Sequence, residues 1–205
     1  METKNIMIVG VGGQGTLLTS RILGKLMINA GYDVKLSEVH GMAQRGGSVV
    51  TFVRYGDKVY EPIVEEGMAD LLISFERLEA KRYENFLKRD GVIVLNDVRI
   101  DPMPVVTGAM KYPEGIVSSL QSAHKVYSVD ANAAAEKLGN PRVFNLIVLG
   151  VAAKTLDFSK EEWLSVIEET VPPKTVEINK RAFLTGYEMK NELSPVAAGE
   201  NKEKK

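Results

Sequence analysis

Apolar residues follow two rhythms along this chain. Short uninterrupted apolar runs alternate with longer stretches in which apolar positions recur every three or four residues. The first rhythm marks buried strands and the second amphipathic helices. Ile6-Met7-Ile8-Val9 predicts a strand over residues 5–10. Leu17, Leu18, Ile22, Leu26 and Met27 lie near one face of a helix expected over 14–29 and ended by Gly31. Further strands are expected at 33–37, 71–74, 91–96 and 125–129. Residues 48–54 are rich in β-formers and are expected to pair with Lys58-Val59-Tyr60 through the turn Tyr55-Gly56-Asp57. A charged amphipathic helix is expected over 76–88, and the proline-bearing segment 101–113 reads as a loop with an edge strand at 104–106. Four helices complete the pattern, near 131–138, 142–155, 160–170 and 174–187. From about Asn191 the chain is polar and charged, and residues 191–205 read as a disordered tail.

Strands alternating with helices argue a mostly parallel sheet covered on both faces, and the hairpin at 48–60 makes one edge of it mixed. The first glycine cluster sharpens that picture. Gly10-Val11-Gly12-Gly13-Gln14-Gly15 follows the first strand and opens the first helix, at the spacing of a dinucleotide-binding turn. The expected fold is α/β, a Rossmann-like three-layer domain over residues 1–190 with a mixed edge hairpin. Glycine permits a sharp turn and a close approach of backbone N–H groups to an anion, and the helix aims its positive end at the same spot. The alternative is a tight strand–helix turn with nothing bound. Glu38, just after the second strand, is a candidate ribose ligand of the kind nicotinamide enzymes use. It leads straight into a second glycine cluster, Gly41-Met42-Ala43-Gln44-Arg45-Gly46-Gly47-Ser48, which an ordinary cofactor domain does not need.

Composition removes several classes. A chain of 205 residues fits one large domain with a substantial core. A net charge of -1 and a pI near 6.2 offer no electrostatic case for nucleic acid. No apolar run approaches the length that crosses a bilayer, and the first residues lack a basic segment followed by a signal-type core. A cytoplasmic protein with no membrane partner is expected. The chain has no cysteine, so it cannot ligate an iron–sulfur cluster through thiolates, build a zinc finger or form a disulfide. Its two histidines, His40 and His124, are far apart and suggest no metal site.

Gly12-Gly13-Gln14-Gly15 together with Ser37-Glu38-Val39-His40-Gly41-Met42-Ala43-Gln44-Arg45-Gly46-Gly47-Ser48 resembles the gamma-type subunits of 2-oxoacid:ferredoxin oxidoreductases. The run Met-Ala-Gln-Arg-Gly-Gly-Ser is most like the arylpyruvate (indolepyruvate) branch. Residues 67–76, and Asn145 with Gly150, also match the family pattern, and the resemblance spans residues 4–187. It implies a small subunit that supports oxidative decarboxylation of an aryl pyruvate to acyl-CoA, carbon dioxide and reduced ferredoxin. A large alpha subunit would hold thiamine diphosphate, magnesium and the 4Fe-4S clusters, which agrees with the missing cysteines.

The site residues expected in this chain are Gly12, Gly13, Gln14, Gly15, Thr16, Arg45, Gly46, Gly47 and Ser48, with coenzyme A as the possible ligand and no catalytic residue. The coenzyme carries a diphosphate and a 3′-phosphate. A glycine turn at a helix start suits such groups, and Arg45 offers a forked contact. Arg45 serves equally well to dock the loop on the large subunit. Thr16 and Ser48 are expected to bring hydroxyls to the same end. His40 reads as a hydrogen-bonding loop residue, His124 as solvated, and Trp163 as a core or interface anchor. Glu76, Arg77, Glu79, Lys81 and Arg82 read as a solvated helix face, and Asn96 and Asp97 as a loop cap. The rival classes are a free-standing nicotinamide oxidoreductase, for which no proton-transfer pair stands out, and a non-catalytic nucleotide-sensing module.

Overall fold

The computed structural model describes residues 2–40 and 46–190. Its elements pack around one six-stranded sheet. The strands are β1 (Lys4–Val11), β2 (Asp33–His40), β3 (Ser48–Gly56), β4 (Ala69–Ser74), β5 (Leu87–Asn96) and β6 (Lys125–Val129), in the order β2-β3-β1-β4-β5-β6. β1, β4, β5 and β6 pair in parallel, whereas β3 is antiparallel to both β1 and β2. The helices are α1 (Thr16–Asn29), α2 (Arg77–Arg82), α3 (Met103–Val106), α4 (Ile116–Ala123), α5 (Ala131–Lys137), α6 (Phe144–Ala153), α7 (Lys160–Thr170) and α8 (Val176–Glu188).

Strand alternation divides the core in two. Ile6 and Ile8 of β1 face one side, with α1, α5, α6, α7 and α8 packed there through Leu23, Ala135, Leu146, Trp163 and Phe183. Met7 and Val9 face the other, which α2, α4 and the intervening loops cover through Ala80, Tyr112, Ile116 and Leu120. α6 is apolar all round and buried from Asn145 to Ala153, as its uninterrupted composition requires. It crosses α8 at two glycines. A Cβ at Gly150 would overlap the Phe183 carbonyl, and one at Gly186 would overlap the Ile147 carbonyl. Trp163 lies in this core as expected, stacked on Phe183 with ring centroids 5.5 Å apart.

The three-layer architecture agrees with the sequence expectation, and the departures are local. The hairpin over 48–60 does not form. β3 runs to Gly56 and pairs with β1 and β2 along its length, so both its edges are taken before residues 58–60 arrive. The Val59 N–H instead donates to the Asp33 carboxylate at 2.8 Å. The mixed edge is the β2–β3 pair. The helix expected over 76–88 ends at Arg82, and Leu87 already belongs to β5. Leu87 pairs with Ala69 and Val92 with Leu71, so β5 bulges over Lys88-Arg89-Asp90. Residues 104–106 form part of α3 rather than an edge strand, with a proline in the first turn where a missing N–H costs nothing. α4 was not expected; it buries only Ile116 and Leu120, one turn apart among serines. The tail expectation for 191–205 lies outside the described residues.

The α6–α8 crossing yields a direct test. Gly186→Ala forces a methyl into backbone and is expected to cost about 1–3 kcal/mol or more. Urea unfolding of the variant should show a lowered midpoint with an unchanged slope. An unmoved midpoint would contradict the close crossing.

Candidate functional site

At the end of β1 the chain makes the glycine turn. The Gly12 N–H donates to the Gly47 carbonyl at 2.9 Å, which joins the two glycine motifs. Gln14 rivets the turn. Its backbone N–H donates to the Val11 carbonyl at 3.1 Å. Its side-chain oxygen accepts from the Val11 N–H at 2.7 Å, and its side-chain amide donates to the Phe75 carbonyl at 3.0 Å. Gln14 therefore shapes the turn from within, and both ends of its amide are engaged by the protein. Gly15 caps α1 with φ +89, where a Cβ would strike the Asn145 amide. That contact gives Asn145 its place in the pattern. Gly13 has φ +98 and a Cβ there would meet nothing within 4 Å, so it forms the open face of the turn. α1 has no side-chain cap and no acidic residue in its first turn. Its first N–H groups are thus available to an anion.

Two clefts flank the Gly12–Gly47 bridge. The first, of about 350 Å³, lies on the α1 side and is lined by Gly12, Gly13, Gly15, Thr16, Leu17, Glu38 and Val49. Glu38 belongs to β2, and its carboxylate accepts from the hydroxyls of Thr51 at 3.2 Å and Thr16 at 3.5 Å. The second, of about 310 Å³, lies on the α2 side. Gly46, Gly47 and Ser48 form one wall, Ile100, Pro102, Met103 and Pro104 another, and Glu76, Glu79 and Arg82 also line it. The expectation that Thr16 and Ser48 serve one end is corrected here. Thr16 opens α1 and Ser48 opens β3 on the α2 side of the bridge, so the Ser48 hydroxyl goes to Glu79 while that of Thr16 goes to Glu38. Arg45 lies outside the described residues, as does the side chain of His40.

The solvated reading of the α2 face fails for its two glutamates. Glu76 is 1% exposed and Glu79 4%. Glu76 caps α2: one carboxylate oxygen accepts from the Glu79 N–H at 2.9 Å. The other accepts from the Tyr112 hydroxyl at 2.6 Å and the Ile100 N–H at 3.1 Å. Glu79 accepts from the Ser48 hydroxyl and bridges Arg82 at 3.0 Å. Burial pushes the Glu79 carboxyl above the usual carboxylate range, and its contacts with Ser48 and Arg82 oppose that rise. The available signal was positional. Glu76 directly follows a buried parallel strand, the edge of such sheets where ligands gather. Asn96 acts as the expected cap: its amide donates to the Phe75 carbonyl at 3.2 Å, and its oxygen accepts from the Ala131 N–H at 3.1 Å. His124 is not solvated. It is half-buried, its Nδ1 has no partner, and its Nε2 lies 3.9 Å from Glu84. Among the described residues no group of histidine and acidic side chains could hold a metal ion.

A family model for pyruvate ferredoxin/flavodoxin oxidoreductases matches residues 5–189. The chain belongs to this family. Among its relatives, indolepyruvate oxidoreductase subunit IorB of Thermococcus kodakarensis is 41% identical over 200 residues, covering 94% of this chain and 98% of that one. The same subunit of Archaeoglobus fulgidus is 42% identical over 188 residues, covering 89% and 93%. The gamma subunit of a keto/oxoacid ferredoxin oxidoreductase from Geobacter sulfurreducens superposes with a TM-score of 0.66 at 26% identity, covering 90% of this chain and 96% of that one. The 2-oxoglutarate:ferredoxin oxidoreductase of Magnetococcus marinus, solved with 2-oxoglutarate, coenzyme A and succinyl-CoA bound, shares the fold with a TM-score of 0.70 at 18% identity. There the match covers 91% of this chain but 31% of that one. Family membership sets aside the free-standing nicotinamide enzyme; of the described glycine-motif residues, Gly12, Gly13 and Gly15 line the first cleft and Gly46, Gly47 and Ser48 the second.

Glu79 gives the site a pH signature. Its raised carboxyl binds a proton more tightly in the folded state than in the unfolded chain. The stability it contributes is therefore present at low pH and lost as pH rises through and above the ordinary carboxylate range. Glu79→Gln removes that loss. Melting curves from pH 4 to 7 (about the carboxylate range and above) should show the variant gaining on the parent as pH rises. A constant difference would count against a buried, destabilised carboxylate.

Proposed function

We propose that this chain is the small subunit of an indolepyruvate:ferredoxin oxidoreductase. It acts with a large alpha subunit to convert an aryl pyruvate and coenzyme A to acyl-CoA and carbon dioxide, with electrons passing to ferredoxin. The identity to indolepyruvate oxidoreductase small subunits over nearly the whole chain supports the substrate class. The chain supplies no thiolate, so iron–sulfur clusters belong to the large subunit, and thiamine diphosphate and magnesium are assigned there with them. No helix among the described residues is long and apolar enough to cross a membrane, and the complex is assigned to the cytoplasm.

The part given to this chain is to hold coenzyme A at the bridged glycine motifs, and the observation that carries it is the Gly12–Gly47 hydrogen bond. That bond puts an uncapped helix start and an apolar-walled cleft on either side of one glycine ridge. The coenzyme's diphosphate fits over Gly13 and Gly15, against the positive end of α1. The Glu38 carboxylate at the far side of that cleft accepts the Thr16 and Thr51 hydroxyls. The pantetheine arm, methylenes joined by amides, suits the second cleft with its proline and isoleucine wall and polar floor. Arg45, next to Gly46 in the sequence, is the cation assigned to a phosphate, by its fork and by its position.

The isolated chain is expected to be inactive. Joined to its large subunit it should form acyl-CoA from indolepyruvate and reduce ferredoxin or a viologen dye. Decarboxylation by this chain alone would refute the division of roles. Within the complex, Gly13→Ala places a methyl on the open face of the turn, where it strikes nothing but strains a backbone held at φ +98, so its melting temperature is read beside its kinetics. It should raise the KM for coenzyme A about tenfold, the cost of roughly one charged contact. An unchanged KM would exclude ligand contact at Gly13.

A further inference from the structure

Between the end of β5 and the start of α4 the chain forms a long strap whose only regular piece is the single turn α3. Ile100, Pro102 and Pro104 of this strap are the apolar wall of the second cleft. Its tip gains little from burial, because Met103, Val106 and Met110 are all exposed. Its two ends are fastened by one atom. The same Glu76 carboxylate oxygen accepts from the Ile100 N–H at 3.1 Å and from the Tyr112 hydroxyl at 2.6 Å. Arg99 reinforces the base, with its guanidinium 4.4 Å over the Tyr112 ring and forked onto Asp101 at 2.6 and 3.1 Å. The second Glu76 oxygen caps α2, the helix that carries Glu79 and Arg82 to the same cleft. Burial and the Glu76 contact hold the Tyr112 phenol well above its usual range.

We propose that Glu76 is a positioning residue: through Ile100 and Tyr112 it clasps the 100–112 strap as a wall of the Gly46–Ser48 cleft, and so sets how tightly that cleft holds the pantetheine arm of coenzyme A. This rests on the coenzyme reading given above. The physical argument is one of leverage. Within the strap, Val105 packs on the second core and backbone hydrogen bonds shape α3, but these contacts do not fix its two ends to the body, and ordering each residue carries an entropic cost. A buried carboxylate that accepts two hydrogen bonds from the loop's ends offsets that cost at the one place where both ends meet. Releasing the clasp lets the wall of Ile100, Pro102 and Pro104 move while leaving the opposite wall, Gly46 to Ser48, in place.

The decisive variant is Tyr112→Phe, made in the small subunit of the assembled complex. It removes the hydroxyl and keeps the ring that fills the second core and stacks under Arg99. Amide exchange at Ile100 should accelerate severalfold. The KM for coenzyme A should rise severalfold, with kcat and the KM for the 2-oxoacid unchanged. Glu76→Gln, which removes the charge that accepts from both ends, should accelerate exchange across 100–112 further. Unchanged exchange across 100–112 would overturn the clasp. Faster exchange with an unchanged KM for coenzyme A would overturn its role in binding. A fall in kcat with all substrates alike would mark a general loss of structure and also count against it. Gly13→Ala separates the two layers of the argument. If that variant raises the KM for coenzyme A while Tyr112→Phe frees the strap without doing so, the clasp role fails and the coenzyme reading stands. If neither variant moves it, the coenzyme reading falls and the clasp role with it.

Discussion

The position of β3 governs the site. In an ordinary doubly wound sheet the second parallel strand lies beside the first. Here β3 is inserted between them, antiparallel to both, with Ser48 opposite Val11 at the C-terminal edge of β1. That register carries the second glycine motif to the first and allows Gly12 to donate to Gly47. A slip of one residue would turn Ser48 and Thr51 to the wrong faces of the sheet. It would separate Thr51 from Glu38 and Ser48 from Glu79, the contacts that anchor the two clefts. The fold thus converges on the Gly12–Gly47 bridge, which ties the end of β1 and the second motif together.

Next to that ridge the protein holds two nearly inaccessible carboxylates. Burying them would be costly without partners. Glu76 offsets the cost with hydrogen bonds from Tyr112, Ile100 and Glu79, and Glu79 with Ser48 and Arg82. Both stand where β1 and β4 diverge, one followed by a helix on one face and the other by a helix on the opposite face. Open parallel sheets gather ligands at such a point. The Glu76 carboxylate there holds the chain at Ile100 and Tyr112, and that of Glu79 holds Ser48.

The relatives this chain matches over nearly its whole length are named as subunits of an oxidoreductase. The fold accounts for nearly the whole of the Thermococcus and Archaeoglobus relatives but under a third of the Magnetococcus chain. The same fold therefore occurs both as a separate chain and within a longer one.

Local periodicity was enough for the first strand, its glycine turn and helix, the strands at 71–74 and 125–129, and the four C-terminal helices. In each of these the apolar spacing and the punctuating residues point the same way, and burial later reinforced that choice. The two glycine motifs likewise carried the family, because a turn that excludes side chains leaves its mark in adjacent residues. What the local signals missed depends on partners distant in sequence. Residues 58–60 have strand composition, but β1 and β2 already occupy both edges of β3. Phe86 and Leu87 continue a helical rhythm, but pairing with Ala69 draws Leu87 into β5. Glu76 and Glu79 sit among charged neighbours and look solvated. Only the return of the chain at Ile100 and Tyr112, and the approach of Ser48, buries them. Hydrophobic spacing encodes which face of an element turns inward. It carries no record of which distant backbone will close over a polar group, and here that closure makes the clefts.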